Sequence, residues 1–188
     1  MQELLLGQKQ EKSNELGFTA ILVIILFAFY LIIVNVYSLV IVNGRSMEHT
    51  LTQGDVLFVN RFSNYERGDI IVFNIEDNML IKRVIAVEGD EIKCENGVVS
   101  IKYNGEGEFI DLKEQYIETE TRYIPHTVLK EGELFVLGDN RPISNDSSSF
   151  GPIKKDCVTG VVTEFSIKYK NVLSKLFAWT FNDKELEG

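Results

Sequence analysis

Histidine is scarce in this 188-residue chain, which has only His49 and His126. A serine hydrolase usually draws its base from histidine, so the candidates are quickly checked. His49 stands three residues from Ser46, and His126 follows Pro125 in a polar stretch; neither comes with the separate acid of a Ser-His-Asp triad. Cysteine is just as sparse, Cys94 and Cys157, without the close spacing of a zinc site or a redox motif. The two are either small apolar side chains or, if the domain lies outside the cytoplasm, partners in a disulfide. No stretch is rich in Lys or Arg, and the formal charge is −9 with the acids spread along the chain. That distribution argues against nucleic acid as a partner. The chain shows no internal repeat or low-complexity segment, and nothing in it indicates a metal or organic cofactor.

Charge is also missing from Leu16 through Gly44. At about 1.5 Å per residue, Leu16 to Val34 alone approaches the roughly 30 Å hydrocarbon thickness of a bilayer. A buried core helix is the other reading of such a run, but at 45% apolar composition so small a domain could hardly enclose a helix apolar on every face. A cleavable leader would be shorter and end in a small-x-small site; Asn35-Val36-Tyr37-Ser38 offers none. The sequence therefore divides into a tail at 1–15, a transmembrane anchor at 16–37, a domain at 38–182 and a tail at 183–188. Lys9 and Lys12 allow a cytoplasmic N-terminus without demanding it.

Beyond the anchor, Val36 to Val42 reads as a strand. Similar runs follow at Val56–Asn60, Ile70–Ile75, Leu80–Val87, Val98–Tyr103, Leu134–Leu137 and Val158–Ile167, punctuated by Gly-Asp, Asn-Gly and Glu-Gly pairs. They predict a mostly β, antiparallel domain. Asn96-Gly97 between alternating segments predicts a hairpin with a type I′ turn. Residues 104–130 read as a polar surface excursion without catalytic signal. Tyr169–Phe181, with Leu173, Phe177 and Phe181 four apart, reads as a short amphipathic helix that packs on the sheet or lies on the membrane.

Three stretches are unlike routine core or turn sequence: "NGRSMEHTL" (43–51), "IKRVIAVEGD" (81–90) and "GDNRPISNDSSSFGP" (138–152). Lysine can replace histidine as a base if burial strips its charge near neutral pH. Lys82, flanked by Leu80-Ile81 and Val84 to Val87, is the candidate, although a strand lysine can equally send its head to solvent.

With Ser46-Met47, Thr50-Leu51, Gly54-Asp55-Val56, Arg67-Gly68-Asp69-Ile70, Lys82-Arg83-Val84, Gly138-Asp139-Asn140-Arg141, Ser144, Asp146-Ser147 and Phe150-Gly151 in this order behind an anchor, the chain resembles the bacterial type I signal peptidases over nearly its whole length. The resemblance implies a β-rich Ser/Lys endopeptidase, with Ser46 as nucleophile and Lys82 as general base. It further implies that Ser144 orients the lysine by a hydrogen bond, that Asp146 holds the site together near Arg83, and that the Ser46 N–H stabilises the oxyanion. Gly44 stands where some members carry a serine that adds a second donor, which is similar to the Gram-positive branch. The implied partners are signal-peptide-bearing precursors cut after a small-x-small segment, together with membrane lipid. Such a site lies just beyond the membrane because its substrate is anchored there as well.

Two positions depart from the family pattern. His49 replaces the proline of Ser-Met-x-Pro-Thr-Leu, and Ser148 stands where an arginine commonly follows Asp-Ser, leaving Asp146 to seek compensation from Arg83 or Arg141. They open a second reading, an assembly factor for pilin or other surface-protein precursors with weak or no proteolytic activity. Self-cleaving Ser/Lys repressors share the dyad logic, but the anchor and the acidic charge set them apart.

Overall fold

The protein is described by a computed structural model over residues 2–177, with side-chain surroundings given from residue 17 onward. The 183–188 tail and the end of the amphipathic stretch at 178–181 lie outside the described residues. In chain order the elements are α1 (Gln2–Val36), β1 (Tyr37–Ile41), β2 (Val56–Asn60), β3 (Ile70–Ile75), β4 (Asn78–Ala86), β5 (Glu91–Glu95), β6 (Val98–Lys102), β7 (Ile110–Asp111), β8 (Ile124–Val128), β9 (Glu133–Leu137), α2 (Ser147–Phe150), β10 (Ile153–Lys154), β11 (Val158–Val162) and α3 (Glu164–Phe177). The chain splits into two compact units, with residues 1–38 forming the first.

In the first unit α1 runs as one helix through both the tail at 1–15 and the apolar run, so the charged tail continues the helix. Gly17–Val36, 20 residues with a mean hydropathy of 2.9, is about 30 Å long at helical rise. Phe18, Ile24 and Phe27 are each 60% exposed or more. A helix apolar on every side, with no protein packed on it, has the composition of a membrane span.

The second unit holds two sheets. The larger has seven strands in the order β1-β2-β11-β3-β4-β9-β10, the smaller four in the order β7-β6-β5-β8. The pairings from β2 across to β10, and throughout the smaller sheet, are antiparallel. Such sheets form here because Val, Ile and Phe alternate along short strands and pack well on a pleated surface. Ile85, Ala86, Phe135 and Leu137 from the larger sheet meet Ile92, Val99, Ile101 and Ile124 from the smaller in one core. A second core gathers Met47 and Leu51 with Leu57, Val59, Ile70 and Val72.

The Asn96-Gly97 hairpin forms as predicted. Glu95 pairs with Val98, and Asn96 (φ 51°) and Gly97 (φ 81°) both take the positive φ that a type I′ turn needs. The strand expected over Val158–Ile167 ends instead at Val162. Thr163 then starts α3: its Oγ1 accepts from Ser166 N at 3.3 Å and its carbonyl from Ile167 N at 3.2 Å, so a hydroxyl cap overrides the β-branched pattern. Burial of Leu173 and an edge-on ring contact of Phe177 with Phe58 of β2, centroids 6.3 Å apart, seat α3 on the sheet. The excursion at 104–130 supplies β7 and β8, and with them the buried Ile124 and Leu129. Cys94 is buried and Cys157 half-buried, and both are free thiols.

Candidate active site

Residues 43–51 form a turn between β1 and β2 that is pinned from within. Met47 and Leu51 are buried in the core, and the Met47 carbonyl accepts from Thr50 N (3.1 Å) and Leu51 N (2.8 Å). Two apolar plugs one helical turn apart thus hold the loop that carries Ser46. From the other side, Asn140 N donates to the Ser46 carbonyl at 3.0 Å, and Asn140 Nδ2 donates to the Arg45 carbonyl at 3.1 Å. The "GDNR" stretch therefore touches the Ser46 loop through its asparagine.

Lys82 lies in the middle of β4, opposite Ile71 of β3, and is only 3% exposed. Its Nζ lies 2.6 Å from Ser46 Oγ and donates to the Ile81 carbonyl at 3.0 Å. Burial lowers its pKa from the ordinary 10.5 to about 8, against the opposing pull of Asp146 and Asp139. A lysine head that reached solvent would keep its charge, so the strand has resolved the ambiguity of the sequence in favour of burial.

Arg83, the next residue, pairs with Asp139: Nε to Oδ1 is 2.9 Å and Nη2 to Oδ2 is 2.6 Å. It also donates to the Gly68 carbonyl (2.7 Å) and the Thr50 hydroxyl (3.3 Å), and lies over the Tyr116 ring, 4.0 Å from its centroid. Asp139, and not Asp146, is thus the carboxylate that takes the guanidinium fork.

Asp146 has a different set of donors. Oδ2 accepts from Gly138 N at 2.9 Å, and Oδ1 accepts from Ser148 N at 3.0 Å and Ser148 Oγ at 2.7 Å. It is the N-cap of α2, and Ser148 supplies with two neutral donors what the family's arginine would supply with charge.

The hydrogen bond expected from Ser144 to Lys82 is not made. Ser144 Oγ is buried and without a partner, while Lys82 is engaged with Ser46 and Ile81. Ser144 lies instead against Gly138, where a Cβ would come 2.2 Å from Ser144 Oγ and 2.5 Å from the Ser46 carbonyl. Gly138 is therefore required for the close approach of the two serines' segments. Gly44 has φ 97° and open space around its Cα, so a serine would fit there but in a backbone conformation that L residues rarely adopt.

His49 also has positive φ, 81°, a conformation closed to proline, whose ring fixes φ near −65°. Its Nδ1 lies 3.2 Å from Glu118, and His126 pairs with Glu91 at 2.6 Å; neither imidazole hydrogen-bonds to Ser46.

An open cleft of about 190 Å³ runs past Ser46 and Lys82, lined by Val40, Val42, Gly44, Met47, Leu80 and Ile81 among others. Together these features give a hydroxyl in contact with a buried amine of lowered pKa, beside a small apolar trough, which is a constellation for nucleophilic attack on a carbonyl.

Residues 15–166 match the family described as "Signal peptidase, peptidase S26". The chain belongs to this family. Among its relatives, signal peptidase IB of Staphylococcus aureus is 31% identical over 162 residues, 77% of this chain and 83% of the relative. Signal peptidase I P of Bacillus subtilis subsp. natto is 33% identical over 167 residues, 82% of this chain and 90% of the relative. A crystal structure of a signal peptidase I from Enterococcus faecalis V583 is 31% identical and spans 54% of this chain and 98% of its own, with a TM-score of 0.46. All three family stretches singled out in the sequence fall inside the matched residues, whereas most of α3 lies beyond them.

Sequence reasoning missed the supports drawn from the polar excursion. Arg141, 2% exposed at its side chain, forms a two-pronged pair with Glu114, 5% exposed, with Nη1 to Oε2 at 3.1 Å. Thr121 accepts a second bond from Nη1, and Tyr116 donates to Glu114 at 2.7 Å. No spacing or periodicity marks Glu114 or Tyr116 in the sequence, where Asp139 and Asp146 stand much nearer to Arg141.

Proposed function

We propose that this protein is a membrane-anchored serine endopeptidase that removes N-terminal signal peptides from exported proteins through a Ser46/Lys82 dyad. The observation that carries the reading is the 2.6 Å contact between Ser46 Oγ and the buried Lys82 Nζ. With a pKa of about 8, on the order of a tenth of the molecules hold the free amine at pH 7, enough to act as a base.

In this reading Ser46 Oγ attacks the scissile carbonyl while its proton passes to Lys82. The Ser46 N–H, which has no protein acceptor among the described residues, is the donor for the oxyanion, a contribution of roughly 3 kcal/mol. Collapse breaks the C–N bond, and the Lys82 ammonium gives its proton to the departing amine, the new N-terminus of the mature protein. Water then attacks the acyl-Ser46 ester with Lys82 again as base, and the signal peptide leaves with a new carboxylate. The small apolar cleft suits small side chains at the first and third positions before the cut.

Residues 16–37 anchor the enzyme, 1–15 stay in the cytoplasm, and the domain from 38 onward works outside. The substrate's own apolar helix sits in the same membrane, so tethering raises the effective concentration of one for the other. The two departures from the family pattern favour catalysis over a purely binding role. Ser148 satisfies Asp146, and His49 fits a turn that proline could not adopt.

The test is cleavage of a signal-peptide-bearing precursor by the full chain in lipid, with the product's N-terminus identified by mass spectrometry. Wild type cuts after a small-x-small segment, and Ser46→Ala and Lys82→Ala each lose at least about a thousandfold in rate. Wild-type silence on secretory precursors, combined with normal surface-protein assembly in a Ser46→Ala strain, would replace this reading with the assembly factor for pilin or related precursors.

A further inference from the structure

α3 begins where the match to the family ends, at residues 164–166, yet it reaches back to the nucleophile turn. Lys170 Nζ donates to the Thr50 carbonyl at 2.7 Å and lies 3.3 Å from Asp55 Oδ2. The side chains of this ion pair are 21% and 7% exposed. One helical turn later Ser174 Oγ accepts from Val56 N at 3.2 Å and donates to the Lys170 carbonyl at 2.7 Å. α3 is thereby fixed in register along the start of β2.

Thr50 is consequently held twice, by its carbonyl from α3 and by its hydroxyl from Arg83 Nη2 of β4 at 3.3 Å. Arg83 adjoins Lys82, and Thr50 closes the turn that opens at Met47, the residue after Ser46. Asp55 is a third member: its Oδ2 accepts from Thr52 N at 2.8 Å, while its carbonyl accepts from Val42 N at 2.9 Å. The ammonium therefore meets a backbone oxygen and a buried carboxylate of the same loop. A partly desolvated charge with two acceptors holds its geometry better than a surface pair would.

We infer that Lys170 is a positioning residue, which clamps the Thr50 carbonyl and through that turn sets Ser46 Oγ against Lys82 Nζ. It touches neither substrate nor reacting atoms. The inference rests on the Ser46/Lys82 reading above. It also assigns a role in the same reaction to a helix largely outside the family-matched segment. Loosening the clamp shifts Ser46 Oγ against Lys82 Nζ, whereas the wall of the cleft on β4, Met79 to Ile81, stays in place, so the loss falls mainly on kcat and KM changes little.

The experiment measures kcat and KM for precursor cleavage by the full chain in lipid, for wild type, Ser46→Ala, Lys170→Met and Lys170→Arg, with thermal midpoints recorded on the same samples. Lys170→Met keeps the stem and removes the charge; it loses about tenfold in kcat with KM within about twofold, while the midpoint stays well above the assay temperature. Lys170→Arg, which can still donate to Thr50 and Asp55, recovers most of that loss. If Lys170→Met does not fold, Lys170→Gln carries the same criterion. Equal kcat in wild type and the charge-removing variant overturns the clamp, as does an arginine variant no better than methionine. Silence of wild type itself would instead sink the dyad, so the two failures are told apart by the wild-type and Ser46→Ala arms.

Discussion

Arg83 and Arg141 are both guanidiniums in the motifs around Ser46, their side chains 12% and 2% exposed, and each forks onto one carboxylate drawn from a different part of the chain. Arg83 meets Asp139, which belongs to the same "GDNR" stretch as Arg141, and it shares its remaining donors among the Gly68 carbonyl, the Thr50 hydroxyl and the Tyr116 ring. Arg141 forks onto Glu114, which arrives from the irregular stretch between β7 and β8, and adds the Thr121 hydroxyl and, from Nε at 2.9 Å, the Gly138 carbonyl. The first pair lies beside Ser46 and Lys82, and its arginine is the more exposed of the two. The second is the more deeply buried arginine, and it ties the polar excursion to the site.

Stability should separate the two. Glu114→Gln keeps the shape but leaves Arg141, 2% exposed, without a charge partner in the interior, at a cost of about 3–5 kcal/mol. Asp139→Asn leaves the more exposed Arg83 (12%) without its carboxylate and costs less, about 1.5–3 kcal/mol, but it lowers cleavage more because Arg83 holds Thr50 beside Ser46. Urea unfolding and precursor cleavage on both variants give the comparison directly. A larger stability loss from Asp139→Asn would mean that the pair beside Ser46 is the structural one, and the contrast would be reversed.

Lys82 sharpens the same contrast, being a buried cation with no carboxylate in contact. Its folded pKa, about 8, lies below the ordinary 10.5. Below pH 8 the amine is charged in both folded and unfolded states, and the folded state bears the full desolvation cost. Above about 10.5 it is neutral in both, and the cost is gone. Lys82→Met therefore stabilises by up to about 3 kcal/mol at pH 7, and that gain fades as pH rises from 8 toward 10.5. In the wild type, kcat/KM climbs with pH through about 8 as the free amine appears. A variant whose stability gain did not change with pH would show that Lys82 is not desolvated.

Most strands were legible from side-chain chemistry alone, as Val56–Asn60 and Ile70–Ile75 fall on β2 and β3 and Asn96-Gly97 makes its turn, whereas the motif residues were legible only through the family resemblance. What could not be read were long-range partners. Glu114 sits in a stretch with neither periodicity nor turn signal, and only the three-dimensional path brings it to Arg141. Ser144 and Asp146 show the same limit from within a motif. The family resemblance singles them out, but whether a hydroxyl points to Lys82 or stays beside Gly138 depends on fractions of a turn. The start of α3 at Thr163 was hidden for another reason, since one capping hydroxyl outweighs a run of strand-forming residues.

Backbone conformation at His49 gives a smaller effect. With φ at 81°, restoring the family's proline forces the turn out of its present shape, and His49→Pro costs about 2 kcal/mol and lowers cleavage. His49→Gly removes the strain of a side chain at positive φ and leaves stability unchanged or slightly higher. A proline variant as stable and active as wild type would show that the turn readily adopts the other conformation and that the departure at this position is neutral.

The smallest effect belongs to Ser148. Its hydroxyl is one of the donors that replace a charged partner for Asp146, while the N–H groups of Ser148 and Gly138 remain in any variant. Ser148→Ala should cost about 1 kcal/mol, a shift of a few degrees in thermal midpoint, with cleavage little changed. Ser148→Arg tests the converse. Asp146 is 1% exposed and already accepts three hydrogen bonds, so a guanidinium at 148 gains a salt bridge only by displacing the hydroxyl donor. If neutral donors suffice, the arginine variant is no more stable than wild type. A clear gain in midpoint would instead mean that Asp146 is short of a charge partner, and that neutral donors do not replace for it what Asp139 and Glu114 supply to the two arginines.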